Sequence, residues 1–448
     1  ACQNNPMKRP NRGEHPPNCP YDAPMDLPEM PESDDEHPSI DDVMGQVFGG
    51  SFGDMFEGVL HAMKSQGTDA SATRQLAVTI ATGGESEPNV DPTVRMEYES
   101  LARVAELHVA DRTGLPAGRK GSVTIEPVTK AVWTARMVDT LQPLLKRVSG
   151  SLHAAPDTHH EPEAEVGNDP MSAWISSLVK AIAPLMSSLT TGTMVGRLGS
   201  RSLGSYDLPI PGDPTSPDAD RVMLIVPSIE AFATDWSIPA ADLRLWVCLH
   251  ELTHHSVLSV PHVGDSLTDL LIRHAGAFHN DPTELQQHLG EIDLMAGPDS
   301  ITQLQQILDP EMLLGAVRSP DQEALLPRIE SLVAVLIGYV DHVMDEIGSR
   351  LISTYPMVTE ALRRRRVETS GADRFVERIL GLNLTQKQID RGNNFISGVV
   401  ERAGPEALKR LWTEKAHLPT PNEVDAPGLW LARIDLDDDP DSLETLGA

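Results

Sequence analysis

The chain has 448 residues, enough for one large domain with tails or for two domains. Its 66 acidic residues outnumber its 36 lysines and arginines, and the net charge of −30 disfavours binding to nucleic acid or to an anionic membrane. Three dispersed cysteines form no disulfide framework, and the sequence shows neither a long uncharged apolar run nor an N-terminal signal peptide. We therefore expect a soluble cytoplasmic protein.

Residues 1–69 are predicted to form an N-terminal tail. Residues 1–38 are rich in Pro, Asn, Asp and Glu and poor in large apolar residues, so they cannot bury enough surface to fold. Residues 39–66 carry Met, Phe and Val at roughly helical spacing, interrupted by glycines. We expect a weak amphipathic segment that docks on the main body, with a protein partner as the alternative occupant of its apolar face.

Residues 70–434 read as one mainly α-helical domain with one or a few short strands. Residues 151–170 are acidic and Pro-rich and are expected to form a mobile insert, not a metal-binding tract. The run RVMLIVP at 221–227 is the clearest strand. A short helix capped by Ser228 should follow it, and the next helix should begin near Pro239 and end before Pro261. Residues 435–448 return to an acidic tail.

The run LWVCLHELTHHSVL at 245–258 contains an H-E-x-x-H motif, from His250 to His254. Residues four apart lie on one face of a helix, so both imidazoles can reach one metal ion while Glu251 reaches a water beside it. The apolar flanks predict a largely buried helix, where unpartnered His and Glu side chains would be costly. This pattern predicts zinc bound by His250 and His254, with Glu251 as the general base of a hydrolase.

Several residues are candidates for the third zinc ligand. The longer H-E-x-x-H-x-x-G-x-x-H motif is excluded, because Val257 and Val260 occupy its Gly and His positions. His255 is expected behind the ligands or at the surface, and His262 in a loop. A later helix, 330–348, carries Asp341 among apolar residues, three after Gly338, whose missing side chain should allow close approach to the motif helix. We expect Asp341 as the third ligand, with Asp345, one turn on, as its main rival; alternatively, both carboxylates only orient the histidines.

Four blocks of the sequence together resemble the bacterial zincin-like metallopeptidases of type 2, often labelled zinc-dependent metalloproteases. They are RSLGSYDLPIP (201–211), ADLRLWVCLHELTHH (241–255), GYVDHVMD (338–345) and EALRRRRVETSGADRFVERILGLNLTQKQIDRG (360–392). The resemblance spans roughly residues 70–430 and implies a helical zincin-like domain with zinc at His250 and His254 and Glu251 as catalytic base. Some relatives are labelled as associated with deazaflavin coenzyme biosynthesis.

This chain departs from that family at one position. Many members have Glu-Gly before the aromatic residue of the later helix, where this chain has Ile337-Gly338-Tyr339. If that Glu is the usual third ligand, Asp341, on the same helix face as Ile337, could replace it.

Two further groups of residues invite a functional reading. Arg363–Arg366 could bind phosphate or a carboxylate, but consecutive helical residues point all round the helix, which favours solvated or ion-paired arginines. Tyr206 or Tyr339 could stabilise an oxyanion, although no sequence feature brings either tyrosine to the motif.

The sequence as a whole favours a zinc metallopeptidase that acts on a peptide or a small amide. The alternative is a catalytically inactive zinc-containing structural or partner-binding protein.

Overall fold

Helices form most of the described chain, as predicted. The computed structural model describes residues 70–153, 188–278, 319–367, 377 and 379–438. In chain order its elements are α1 (Ala70–Thr82), α2 (Pro92–Thr113), β1 (Thr124–Val128), α3 (Lys130–His153), α4 (described over 188–201), β2 (Arg221–Ile225), α5 (Val226–Asp235), α6 (Ala240–Ser259), α7 (Pro261–Gly276), α8 (Pro320–Leu351), α9 (Tyr355–Val367), α10 (Gln386–Ala403), α11 (Pro421–Asp425) and α12 (Pro427–Asp438), with 3₁₀ helices at Pro405–Trp412 and Lys415–His417.

The two strands form a small parallel sheet in which Thr124 pairs with Arg221 and Val128 with Ile225. Strand β2 coincides with the predicted run 221–227 and is buried along most of its length. Strand β1 was not expected, because its sequence TIEPV contains Pro127 and its first residues are partly exposed. An isolated antiparallel bridge joins Gly204 to Leu224. The backbone around Gly204 therefore lies along the side of β2 that does not pair with β1.

Helix α6 carries the H-E-x-x-H motif and begins and ends where the prolines predict. Pro239 is its N-cap, and the extended Val260 ends it just before Pro261 opens α7. Every residue from Trp246 to Ser259 is buried, including the free thiol of Cys248. Helix α6 packs against α2, α7 and α8, so apolar surface surrounds the motif on most sides.

The long helix α8 begins with a capping box, in which Ser319 and Gln322 satisfy each other's backbone amides. Our expectation for Gly338 was wrong. A Cβ at Gly338 would lie 2.6 Å from the carbonyl oxygen of Gly392 and 2.8 Å from the nitrogen of Asn393, both in α10. The glycine thus brings α8 close to α10 and not to the motif helix.

Several predicted segments lie outside the described residues. These are the tail 1–69 with its segment 39–66, and most of the insert 151–170 and of the acidic tail 435–448. At the edges of the last two, α3 remains helical to His153 and α12 to Asp438. In the part of the chain that is described, no helix combines the length and apolarity that crossing a membrane requires.

Candidate metal centre

His250 and His254 lie together on α6, with ring centroids 4.4 Å apart. The Nδ1 of His254 lies 3.2 Å from the carbonyl oxygen of His250, a distance at which Nδ1 carries the proton and donates it. The Nδ1 of His250 lies 3.4 Å from Oε1 of Glu251. Within the described residues neither Nε2 has a hydrogen-bond partner. The two rings therefore lie next to each other on one face of the helix, as the spacing of the motif predicts.

Both histidines are held in the neutral form that binds metals. Burial, and then the nearby positive charge of Arg366, lower the pKa of His250 to about 3. Burial also takes the pKa of His254 well below its ordinary value. At neutral pH each imidazole thus keeps a lone pair free for an ion.

Glu251 is buried, with only 1 % of its surface exposed, and its carboxylate is held by the backbone. The amide of Tyr206 donates a hydrogen bond of 2.8 Å to Oε2. Burial, and then the negative charge of Asp207, raise the pKa of Glu251 well above its usual value, while the backbone donors oppose that rise. A raised pKa suits a group that must accept and return a proton near neutral pH.

Tyr206 lies against both histidines that follow the motif glutamate. Its ring stacks on His254 with centroids 5.9 Å apart, and its hydroxyl is 2.7 Å from Nδ1 of His255. His255 is 1 % exposed, so the expectation of a place at the surface was wrong and that of a place behind the ligands fits the structure. His262 lies in the first turn of α7, not in a loop.

The third predicted ligand does not complete a three-ligand group with the two histidines in the structure. Asp341 lies on α8 with one carboxylate oxygen 3.9 Å from Nη1 of Arg366, and burial raises its pKa. Asp345 accepts a hydrogen bond of 2.7 Å from the hydroxyl of Tyr355. Among the described residues, no three His, Cys, Asp or Glu side chains converge closely enough to hold a metal ion. The structure therefore brings together two of the predicted ligands and the base.

A family model described as zincin-like metallopeptidase matches residues 68–431. The chain belongs to the zincin-like metallopeptidase family. The predicted family and the mainly α-helical fold are thereby confirmed, and membership supports a metallopeptidase-like role.

A solved structure shares the fold of this zincin-like chain. It is from Chloroflexus aurantiacus and is described as a candidate hydrolase with a novel fold. It is 21 % identical in sequence, with a TM-score of 0.51, and the match covers 82 % of this chain and 98 % of that one. No curated protein matches the sequence.

The arginine run of this zincin-like chain divides between the surface and the metal centre. Arg363 and Arg364 pair with Glu360 on the exposed side of α9. Arg365 points inward and donates a hydrogen bond of 2.8 Å to Asp207, and Arg366 faces Asp341. The expectation of solvated and ion-paired arginines on several faces is borne out, and two of them border the site.

Sequence reasoning missed two residues beside the motif, Gly204 and Asp207. A Cβ at Gly204 would lie within 2.8 Å of both carboxylate oxygens of Glu251. The Arg365 guanidinium outweighs burial and lowers the pKa of Asp207, and His250 also acts on that carboxylate. Both residues belong to the block 201–211 that carries the family resemblance, which was the signal available in the sequence. Tyr206, in the same block, was considered but could not be brought to the motif.

A cavity of about 300 Å³ is lined in part by residues of this block. Its lining includes Trp133, Arg136, Tyr206 and Asp207, but not His250, Glu251 or His254. The cavity therefore shares Tyr206 and Asp207 with the surroundings of the candidate metal centre, but it does not give access to the motif residues.

Proposed function

We propose that this chain is a zinc-dependent metallohydrolase, and specifically a peptidase, that uses Glu251 as its general base. One observation carries the proposal: two neutral imidazoles lie 4.4 Å apart, with no described partner at either Nε2, next to a buried carboxylate. His250 and His254 hold the ion, and Asp341 is the proposed third ligand.

Zinc bound by these histidines would supply Lewis-acid chemistry, polarising a substrate carbonyl and lowering the pKa of water. The residues of the chain then have distinct tasks. The carbonyl of His250 holds the His254 ring by its Nδ1 proton. The amide of Tyr206 holds Oε2 of Glu251, and the carboxylate would take a proton from the attacking water and deliver it to the leaving amine.

For Asp341 to bind the ion, its carboxylate would have to come closer to the two histidines than the structure places it, since the three side chains do not converge as a ligand group among the described residues. Asp207 is a second carboxylate for this role. It directly follows Tyr206, and its charge acts on His250, His254 and Glu251. Its Oδ2 accepts a hydrogen bond of 2.8 Å from Arg365.

The second candidate function is a zinc-containing structural or partner-binding protein without catalysis. Its support is the departure from the family pattern at Ile337, where many members have Glu. A protein partner at 39–66 and a cytoplasmic location stay predictions from the sequence.

The test is metal content together with cleavage of a mixed peptide library, on the wild-type protein and on Glu251→Gln, Asp341→Ala and Asp207→Ala. The proposal expects one zinc per chain, cleavage lost in Glu251→Gln with zinc retained, and zinc lost in Asp341→Ala. Zinc lost in Asp207→Ala but retained in Asp341→Ala would show that Asp207, and not Asp341, is the third ligand. Zinc without cleavage by the wild type would favour the noncatalytic alternative, and no zinc would refute both.

A further inference from the structure

The backbone of residues 203–206, here called the 203–206 segment, is fixed against strand β2. Gly204 forms a bridge with Leu224, and the amide of Ile225 donates a hydrogen bond of 2.8 Å to the carbonyl of Leu203. The amide of Met223 donates a further bond of 2.9 Å to Oγ of Ser205. The segment therefore cannot shift towards or away from Glu251 without breaking contacts to the sheet.

The carboxylate of Glu251 occupies the space that a side chain at position 204 would fill. A Cβ at this position would lie 2.6 Å from Oε2 and 2.8 Å from Oε1, closer than real Cβ atoms approach. The glycine does not have the positive φ of Gly83, Gly84 and others in this chain, so its backbone would accept alanine. The missing side chain thus serves the carboxylate and not a turn.

Tyr206 is fixed from its far end as well. His255, which faces its hydroxyl, has its Nε2 at 3.7 Å from Oδ1 of Asp220. Asp220 in turn accepts hydrogen bonds from the amides of Arg119 and Lys120, at 2.7 and 3.1 Å. These contacts hold the residue whose amide donates to Oε2 of Glu251.

We propose that Gly204 is a positioning residue for Glu251: the space it leaves open and the amide of Tyr206 two residues later together set where the carboxylate lies. The catalytic meaning of this inference rests on the proposed function. The contact itself does not, and it can be tested without cleavage.

The deciding experiment is a double-mutant cycle in the full-length chain, read as the midpoint of urea unfolding. Gly204→Ala is introduced into the wild type and into Glu251→Asp, whose shorter side chain withdraws the carboxylate from the added methyl group. We expect Gly204→Ala to lower the midpoint in the wild type and to lower it by less than half as much beside Glu251→Asp. Equal shifts in the two backgrounds would overturn the inference, whether or not the protein is a peptidase.

Gly212→Ala is the matched control. Gly212 also lacks a positive φ, and nothing lies within 4 Å of a Cβ added there. We expect Gly212→Ala to shift the unfolding midpoint very little, and by the same amount in the wild type and in Glu251→Asp.

With a peptide that the wild type cleaves, kinetics add a second readout. We expect Gly204→Ala to keep its zinc, to lose about 100-fold or more in kcat, and to change KM by less than about threefold, since misplacement of a base affects the chemical step. A wild-type kcat in Gly204→Ala would contradict the inference. An inactive wild type would count against the proposed function alone, and the unfolding cycle would still decide the role of Gly204.

Discussion

Helix α6 carries polar side chains in two regions, and they are stabilised differently. In its first turns, Arg244 bonds to Glu230 and Glu97, and Asp242 accepts hydrogen bonds from Ser353 and Thr354. In its buried middle, no Lys or Arg of the described residues pairs with Glu251, which is held by a backbone amide and the space at Gly204.

The difference shows where the helix gains stability and where it keeps reactive groups. Ion pairs in the first turns offset the cost of removing charges from water. Groups in the buried middle of the helix keep lone pairs free, at a cost in folding free energy that protonation of Glu251, or a metal ion on the histidines, can remove. Changes of pH or of zinc concentration should therefore alter stability through the buried middle of α6. Substitutions in the ion pairs of its first turns should alter the unfolding free energy without altering zinc binding.

The largest expected effect is that of pH on the metal-free protein. The pKa of His250 is about 3 and that of His255 about 4 in the folded chain, and the pKa of His254 is also depressed. Below pH ~6.5 the unfolded chain binds protons that the folded chain does not. The contribution of these histidines to the unfolding free energy is therefore fully present above that pH and is lost as the pH decreases. Each histidine contributes at most about 1.4 kcal/mol per pH unit.

Urea unfolding between pH 7.5 and pH 5 measures this effect. Glu251 acts with the opposite sign, because its raised pKa favours the folded state at low pH, so the comparison is best made in Glu251→Gln. There, His254→Gln should reduce the pH slope. An unchanged slope would contradict the view that these imidazoles are buried in the neutral form.

Zinc should stabilise the protein through the middle of α6. At a free concentration one hundred times Kd, zinc adds about 2.7 kcal/mol to the unfolding free energy. We expect this gain in the wild type and in Arg244→Met, and its loss in His254→Ala. Unfolding curves with and without zinc provide the measurement; a full gain in His254→Ala would remove that residue from the ligand set.

Arg244→Met tests the first region. It removes the hydrogen bonds to Glu230 and leaves that carboxylate beside the hydroxyl of Tyr98, 3.0 Å away. We expect a loss of about 2 kcal/mol in unfolding free energy, with zinc affinity unchanged. A large drop in zinc affinity would show that the two regions of the helix are coupled.

The smallest effect is expected for Asp242→Ala. One carboxylate oxygen, Oδ2, accepts from the hydroxyls of Ser353 and Thr354 and from the amide of Thr354, at 2.7 to 2.9 Å. Their loss at a partly exposed site should cost about 1 kcal/mol. The same measurement applies, and Asp242→Asn, which keeps an acceptor oxygen, should recover part of the loss.

The sequence predicted what depends on local patterns. Apolar periodicity indicates the helices, two prolines bound α6, and residues four apart bring His250 and His254 together. Strand β1 was missed because Pro127 obscures its pattern, and Gly338 was assigned to the wrong neighbour because a missing side chain does not identify the helix that approaches it.

The rest of the site depends on contacts between distant parts of the chain. Glu251 and Tyr206 are 45 residues apart, and Tyr206 and His255 are 49 apart. No local pattern encodes these pairings. The four blocks of family resemblance predicted which regions matter, but they could not indicate that Gly204 lies against the base or that Arg366 faces Asp341.

The small parallel sheet also bears on the order in which the site forms during folding. Strands β1 and β2 pair Thr124 with Arg221, and β2 in turn holds the 203–206 segment. Pairing strands that are this far apart in the sequence is slower than forming one helix, because the entropy of closing the intervening chain is lost before the strand pairing stabilises the structure. We therefore expect the full-length chain, on refolding from urea, to align His250 with His254 first, and to gain a correctly placed base only when the sheet has closed.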